Sequence, residues 1–345
     1  MSRRIIASMR ENAGKTGLIV GLAKALQGQI GYMKPFGDRL LYRKKRVWDY
    51  DTSLMVSLFG IEDNPEEMTF GLDHAKLRFM YDHAATTDRL RQALNAVSEG
   101  KDFVFIESGK DLGYGTSVHL DALSIAEATG IPLIVVVSGE DAVILDDIAF
   151  LKHRIALRTA NFAGVIINKA LDVEDFKATS LNAIQQMGIA VFGVIPYCAE
   201  LTYHTLDHIA EHLFAKVVAG ESGLHRVVKH ILVGAMSADA VLREGLFTRE
   251  DKLVITSGDR SDMILAALET NAAGIVLTNN ILPPSNIVSI AAERNVPLLL
   301  VSTDTYQTAK RVDDMQPLLT KDSVEKIAQL EALVHAHLDI GGMFD

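Results

Sequence analysis

The sequence predicts an α/β protein in which a mostly parallel sheet is covered by helices on both faces. Apolar runs of strand length recur along the chain, and stretches with helical periodicity separate them. Parallel strands need crossover connections, and the helices in those crossovers cover both faces of the sheet. Any ligand is therefore expected at the carboxyl ends of the strands.

The first domain is expected to cover residues 1–219. Its predicted strands are Arg4–Ser8, Phe103–Glu107, Pro132–Ser138, Gly164–Asn168 and Val191–Ile195. Helical periodicity fills the intervals, as at Leu18–Ala25 and Thr87–Val97. The segment Ala219–His225 is rich in small and polar residues, so we place the domain boundary near Gly220.

A smaller α/β domain is expected over residues 220–345. Its predicted strands are His230–Gly234, Lys252–Thr256, Gly274–Thr278 and Pro297–Val301. Helices are expected at Asp262–Asn271 and Ser285–Arg294. An amphipathic helix around Ser323–His337 is assigned to the end of this second domain.

Composition limits the partners and the compartment. The net charge of −10 and the pI near 5.6 give a field that repels nucleic acid and anionic lipid, so neither is an expected partner. The single cysteine, Cys198, cannot form an internal disulfide. No apolar run reaches the roughly 18 to 20 residues that span a bilayer, and the N-terminus has no signal-peptide pattern. We therefore expect a cytoplasmic protein that is neither exported nor inserted in a membrane.

A loop that ends in Gly14-Lys15-Thr16 joins the first strand to the first helix. Backbone N–H groups of the loop and the helix N-terminus would hold phosphate oxygens, Lys15 would neutralise the β- and γ-phosphates, and the Thr16 hydroxyl would ligate Mg²⁺. Ser8 stands where comparable loops have their first glycine. The alternative is a chance triplet at a helix start, and the strand-loop-helix order argues against it. The predicted nucleotide-binding residues here are Asn12, Gly14, Lys15, Thr16 and Gly17.

Two further segments could supply charged groups to this site. Lys34 follows a second short strand and could reach the phosphates, or it could be a surface lysine before Pro35. Asp49 and Asp51 lie two residues apart before an apolar helical stretch. Such a pair can hold Mg²⁺, but Asp51 could instead cap the helix.

The ends of later strands carry three more candidate positions. Glu107 ends a buried strand, which is where a ligand of Mg²⁺ or water belongs in P-loop proteins. Asn168 and Lys169 end another strand and suit hydrogen bonding and stacking of a base, although a polar turn would look the same. Pro196 begins a rigid loop that could close over the base.

Histidine spacing gives no metal motif. His204, His208 and His212 recur every four residues on a predicted helix, but the glutamate of a zinc-binding helix is missing. We interpret them as a solvated or interface face.

Taken together, these residues resemble dethiobiotin synthetase and its P-loop relatives, in a P-loop NTPase-like first domain. The matching pieces follow the family's order: Gly14-Lys15-Thr16, Lys34-Pro35, Asp51, Glu107, Asn168 and Pro196. The second domain resembles the DRTGG domain through Gly234-Ala-Met-Ser, Thr256-Ser-Gly-Asp-Arg and Thr303-Asp-Thr-Tyr-Gln-Thr. The pairing is similar to the N-terminal half of long phosphate acetyltransferases and covers nearly the whole chain.

The resemblance implies ATP and Mg²⁺ as cofactors and assigns a role to each site residue. Catalytic roles would belong to Lys15, Lys34 and Glu107. The metal ligands would be Thr16, Asp51 and Glu107. Adenine would be recognised by Asn168, with Lys169 and Pro196 beside it. Arg10 lies where partition-ATPase relatives carry a lysine that crosses a dimer interface, and the family leads us to expect a homodimer or higher homo-oligomer.

Three functions follow as hypotheses. The acetyltransferase catalytic domain of the long enzymes is absent from the sequence, so acetyl transfer is not expected. The first hypothesis is an ATP- and Mg²⁺-binding regulatory or sensor protein whose state passes to the DRTGG domain and to its small-molecule ligand or protein partner. The alternative is an ATP-dependent ligase or carboxylase of the dethiobiotin synthetase type, with Lys34 and Glu107 handling a phosphorylated intermediate. The third is a scaffold with a degenerate P-loop.

Overall fold

The computed structural model describes residues 1–43, 46–62, 64–154, 161–234 and 246–344. The chain divides into two compact units. The first unit consists of Met1–Cys198 together with Leu319–Asp345, and the second unit consists of Ala199–Leu318.

A six-stranded parallel sheet forms the centre of the first unit, as predicted. The strands of this unit are β1 (Ser2–Ser8), β2 (Ile30–Met33), β3 (Leu40–Arg43), β4 (Arg46–Asp49), β5 (Phe103–Glu107), β6 (Leu133–Val137), β7 (Phe162–Ala170) and β8 (Val191–Pro196). The sheet order is β2-β5-β1-β6-β7-β8, while β3 and β4 form a separate antiparallel pair. The apolar residues of β1 and β6 are fully buried, and so are those of β5 apart from the partly buried Phe103, which explains their continuous hydrophobic runs.

Nine helices of the described chain connect these strands. They are α1 (Lys15–Ala25), α2 (Tyr50–Phe59), α3 (Pro65–Met68), α4 (His74–Met80), α5 (His83–Ser98), α6 (Ala122–Thr129), α7 (Asp141–Arg154), α8 (Val173–Thr179) and α9 (Leu181–Gln186). An Asp or Asn side chain caps the N-terminus of α2 to α6 and of α8. Each such cap contributes about 1 kcal/mol. In contrast, α1 begins after Gly14 and has no side-chain cap.

The second unit has its own α/β core. Its strands are β9 (His204–Thr205), β10 (Lys216–Ala219), β11 (Val227–Val228), β12 (His230–Val233), β13 (Lys252–Ser257), β14 (Gly274–Thr278) and β15 (Leu298–Leu300). The sheet order is β10-β15-β14-β13-β12, and only the β10 pairing within it is antiparallel. The helices are α10 (Leu206–Leu213), α11 (Ser261–Glu269), α12 (Ser285–Glu293) and α13 (Thr305–Asp313). Of the predicted motif Gly234-Ala-Met-Ser, the last three residues lie outside the described residues.

The division between the units differs from the predicted boundary at residues 219 and 220. Leu206 and Leu213 of α10 are buried in the core of the second unit, and β10 pairs with β15. These residues therefore belong to the second unit although they precede the segment Ala219–His225. The expectation that His204, His208 and His212 share one helix is wrong for His204, which lies in β9 and pairs with β11, whereas His208 and His212 lie on α10.

The C-terminal helices pack on the first unit rather than on the second, contrary to the expectation. They are α14 (Val324–His337) and α15 (Ile340–Phe344). Ile327 and Val334 of α14 are buried in the same core as β1, β5 and β6. A Cβ atom added to Gly21 of α1 would lie 2.7 Å from the Leu330 carbonyl oxygen and 2.8 Å from Val334 Cγ2. The amphipathic face of α14 is thus buried against the helix that follows the Gly-Lys-Thr loop.

We expect Gly21→Ala to lower the free energy of unfolding by about 1–2 kcal/mol. Alanine favours a helix over glycine by about 1 kcal/mol, but here its methyl group would force the α14 backbone away from α1, and overpacking of this kind costs about 1–3 kcal/mol. The matched control is Gly341→Ala in α15, where the nearest atom to an added Cβ is 3.7 Å away. The control should be neutral or stabilising in urea unfolding. Equal midpoints for Gly21→Ala and wild type would contradict the close contact.

Candidate functional site

The loop between β1 and α1 makes a tight turn through two residues with left-handed backbone. Asn12 has φ 63° and Gly14 has φ 93°. Glycine is required at position 14, since any Cβ there would lie 2.5 Å from Asn168 Nδ2. The N–H groups in the first turn of α1 have no side-chain cap, so this helix terminus can accept an anion.

Lys15 points back along the loop and is buried. Its Nζ donates hydrogen bonds to Ser8 Oγ at 2.8 Å and to the Lys110 carbonyl oxygen at 3.1 Å. Burial lowers the pKa of Lys15, although Glu107 partly opposes this effect. Ser8, which replaces the expected glycine, therefore supplies a hydroxyl partner for the lysine. Lys110 was not predicted, because its contribution comes from a backbone oxygen that any residue could supply.

Glu107, at the end of β5, joins the loop to the neighbouring strand. Glu107 Oε1 accepts a hydrogen bond from Thr16 Oγ1 and Oε2 accepts one from Tyr32 Oη, both at 2.8 Å. Burial raises the pKa of Glu107 from its usual 4.5 to about 7, with Lys34 acting in the opposite direction and Asp51 in the same direction. Tyr32 was missed, because a tyrosine inside a strand looks like any core aromatic residue.

Lys34 lies among carboxylates directly after β2. Its Nζ is 2.6 Å from Asp38 Oδ1, 2.6 Å from Asp51 Oδ2 and 3.9 Å from Asp49 Oδ2. Burial lowers the pKa of Lys34, but these carboxylates together with Glu107, Asp51 foremost, hold the pKa well above its ordinary value. The side chain is therefore a buried ammonium ion, and the alternative of a surface lysine is wrong.

Asp49 and Asp51 have different roles. Asp49 is the N-cap of α2, and its Oδ1 accepts a hydrogen bond from the Thr52 backbone N–H at 3.0 Å. Asp51 lies in the first turn of the helix and contacts Lys34, with Arg39 Nη1 3.6 Å from its Oδ1. Burial raises the pKa of Asp51, but Lys34 and Arg39 lower it by more. The alternative in which Asp51 caps the helix is therefore wrong.

Asp38 is the acidic residue that sequence reasoning missed. Oxygen atoms of Asp38, Asp49 and Asp51 lie within 4.8 Å of one another. Asp38 follows a glycine in a loop, where an acidic residue usually serves a turn. Its spacing of four residues from Lys34 is the one signal that could have indicated the ion pair.

Asn168 and Lys169, at the end of β7, hold the backbone of the loop. Asn168 Nδ2 donates to the Ala13 carbonyl oxygen at 2.8 Å, and Lys169 Nζ donates to the Asn12 carbonyl oxygen at 2.6 Å. Pro196 ends β8 opposite Ala170 of β7. Asn168 and Lys169 thus contact the loop, whereas Pro196 lies on the strand next to β7. Contact of any of these residues with a base stays a prediction.

Two other predicted residues make contacts within the first unit. Gly17 faces α14, where an added Cβ would lie 3.3 Å from Leu330 Cδ2. Arg10 forms a two-pronged ion pair with Asp147 of α7, at 2.8 and 2.9 Å. The guanidinium group of Arg10 is thus bound within its own chain, and a role across a dimer interface stays a prediction.

The assembled groups suit the binding of a polyphosphate with a cation. They comprise an uncapped helix N-terminus, a lysine bonded to neutral oxygens, a hydroxyl and buried carboxylates. Oxygen ligands of this kind are those that Mg²⁺ prefers, and Thr16, Glu107 and Asp51 are the residues that could hold it.

No helix within the described ranges is both long and apolar enough to cross a bilayer.

Comparisons with known proteins agree with the two-part organisation. Residues 3–205 match a family described as AAA domain, and residues 208–315 match the DRTGG domain. The phosphate acetyltransferase of Nitratidesulfovibrio vulgaris is 24% identical over 359 residues, which cover 97% of this chain and 50% of that protein. The enzyme of Pseudomonas putida is 26% identical over 369 residues, covering 98% and 51%. The chain thus spans about half the length of these curated relatives.

A solved structure shows a weaker similarity. It contains the CBS and DRTGG domains of the regulatory region of Clostridium perfringens pyrophosphatase, in complex with diadenosine tetraphosphate. The two chains share 16% identity with a TM-score of 0.30, over 45% of this chain and 81% of the other.

The expected resemblance to phosphate acetyltransferases is confirmed by sequence over nearly the whole chain. The chain belongs to the AAA domain family of P-loop proteins and joins that domain to a DRTGG domain.

Proposed function

We propose that this protein binds ATP with Mg²⁺ in its first unit and acts as a regulatory or sensor protein, without acetyl transfer of its own. The observation that carries the proposal is the contact between Thr16 at the start of α1 and Glu107 at the end of β5. This contact puts a hydroxyl and a carboxylate beside a helix N-terminus that has no side-chain cap. Anions bind at such termini, and a nearby cation adds to that binding.

The contacts of Lys15 support a role in phosphate binding. Its hydrogen-bond acceptors are a hydroxyl and a backbone carbonyl, and within the described residues no carboxylate forms an ion pair with it. The positive charge is therefore compensated only at a distance. A phosphate oxygen would form a stronger, charge-assisted hydrogen bond than either neutral oxygen does.

Thr16 and Glu107 fit a hard cation. Their oxygens are 2.8 Å apart, close to the roughly 2.9 Å between neighbouring ligands of an octahedral ion with bonds of about 2.0–2.1 Å. Mg²⁺ bound there would neutralise charge on the phosphates. Asp51 would serve as a further ligand, directly or through water, while Tyr32 fixes the second oxygen of Glu107.

The alternative function is an ATP-dependent ligase or carboxylase of the dethiobiotin synthetase type. In that reaction Lys34 would face an anionic second substrate or intermediate. The Lys34 ammonium group already donates to Asp38 and Asp51, which neutralise its positive charge, so it offers an anionic substrate little electrostatic attraction. This arrangement favours regulation over ligation.

The remaining parts of the proposal concern recognition and signalling. Asn168, Lys169 and Pro196 would contact adenine, since Asn168 and Lys169 already adjoin the loop. Nucleotide binding in the first unit would change the DRTGG domain, and this change would alter how that domain binds a small-molecule ligand or a protein partner. We further propose a cytoplasmic homodimer or higher homo-oligomer.

Lys15→Ala should weaken ATP binding by at least about tenfold in isothermal titration calorimetry. A charge-assisted hydrogen bond contributes about 1.5–3 kcal/mol, and that contribution is lost with the ammonium group. Lys24→Ala is the matched control, because Lys24 is an exposed lysine at the other end of the same helix. Unchanged affinity in Lys15→Ala, or absence of ATP binding to wild type, would contradict the proposed site.

Mg²⁺ affinity of the ATP complex should rise as the pH increases from 6 to 8. The pKa of Glu107 is raised to about 7 by burial, so below that pH a proton occupies the carboxylate that the cation needs. Lys34, Lys15 and Asp51 are the other charged groups that act on Glu107. We expect a change of up to about tenfold per pH unit below the pKa. Glu107→Gln, with the same nucleotide, should show a flatter profile, and parallel profiles would exclude Glu107 as a ligand.

Phosphate release separates the two functions. Wild-type protein with Mg²⁺ and ATP should release phosphate at the same rate whether or not carboxylate or amine substrates are added. Acceleration by any of these compounds, lost in Lys34→Ala, would favour the ligase instead. Formation of acetyl phosphate from acetyl-CoA and phosphate should be absent, and its detection would contradict the proposed lack of acetyl transfer.

A further inference from the structure

The segment that returns the chain to the first unit passes close to the candidate site. The chain leaves the first unit after Cys198, runs through all residues of the second unit, and returns to the first unit at Leu319. We call residues 319–337, which end with α14, the return segment. The Leu319 carbonyl oxygen accepts a hydrogen bond from Tyr50 Oη at 3.2 Å. Tyr50 lies between Asp49 and Asp51 in sequence and is the first residue of α2.

The return segment also lies directly on the helix that starts with Lys15 and Thr16. Leu330 is the neighbour of Gly17, and the next turn of α14, at Val334, adjoins Gly21. The two helices therefore run in the same direction, and the N-terminus of α14 lies toward the loop end of α1. At Gly21 there is no space for a methyl group between the backbones, and at Gly17 the Leu330 side chain is already close, so α1 cannot shift toward α14 without moving it.

The far end of α14 is held by the sheet. Leu338 forms an antiparallel bridge with Gly193, and the Asp339 N–H donates to the Phe192 carbonyl oxygen at 2.8 Å. Arg4 Nε donates to the Met343 carbonyl oxygen, and the Phe344 ring packs against Phe103. A displacement of α14 is therefore taken up at its other end, near Leu319, where the chain continues into the second unit.

We propose that the return segment couples the occupancy of the nucleotide site to the second unit, with Tyr50 and the Gly17-Gly21 face of α1 as its two points of control. The inference rests on the proposed nucleotide binding and adds the route of regulation. If the protein has two conformations that differ in the position of the return segment, a nucleotide with different affinities for the two conformations shifts their populations. Coupling of this kind is reciprocal, so a ligand of the second unit would change nucleotide affinity by the same factor.

Hydrogen exchange on the full chain, with and without saturating ATP and Mg²⁺, tests this route. In wild type, nucleotide should change exchange at least twofold in peptides from residues 319–323 and from the second unit. Tyr50→Phe removes only the hydroxyl group that holds Leu319. We expect this variant to bind nucleotide within about threefold of wild type and to lose the change in the second unit. Tyr42→Phe is the matched control, since Tyr42 is an exposed tyrosine of β3, and it should behave as wild type.

The outcomes separate this inference from the function on which it rests. If wild type binds ATP but exchange in the second unit does not change, the coupling route is wrong and nucleotide binding stands. The coupling route is equally wrong if Tyr50→Phe retains the full change. If wild type binds no nucleotide at all in calorimetry, the proposed function fails and the coupling fails with it.

Discussion

Burial of charge is the constraint on which the structure of the first unit depends. Two lysines and three carboxylic acids are buried at one edge of the sheet, namely Lys15, Lys34, Asp49, Asp51 and Glu107. A buried ion is costly unless opposite charges and hydrogen bonds compensate it. The charges along this edge are compensated in different ways. Direct ion pairs compensate Lys34, and backbone and hydroxyl donors of α2 compensate Asp49. Burial raises the pKa of Glu107 to about 7, so its carboxyl group gains a proton more readily.

The order of the sheet explains how distant parts of the sequence meet at this edge. Strands β2, β5 and β1 are neighbours, so their carboxyl ends bring together Lys34, Glu107 and Ser8. Parallel pairing aligns these ends, because Ile6 lies opposite Glu107 and Met33 lies opposite Ile106. Side chains from the following loops and helices then fill the remaining contacts. The local sequence of each strand needs only to be apolar and to end in a polar residue.

This explains which parts of the fold and site could be predicted. Continuous apolar runs indicate buried strands whatever their neighbours are, and Gly14-Lys15-Thr16 carries its own geometry through a left-handed glycine and a helix start. The hydrogen bond of Tyr32 to Glu107 is a tertiary contact, and the ion pair of Asp38 with Lys34 depends on how the short loop between them folds, so neither residue differs locally from a core aromatic or a turn acid. The domain boundary was misplaced because Gly220 lies in a turn of the second unit, with φ 71°. Amphipathic periodicity shows that α14 buries one face, but it does not indicate the surface that receives it.

The discontinuous first unit has a consequence for synthesis on the ribosome. Translation proceeds from the N-terminus, so the entire second unit is made before α14 exists. Until residues 324–337 emerge, the glycine face of α1 stays open to solvent and the six-stranded sheet lacks part of its apolar cover. The nascent chain can thus finish the second unit before the first one, and maturation of the Gly-Lys-Thr region is tied to a stretch of polypeptide that is made after the entire second unit.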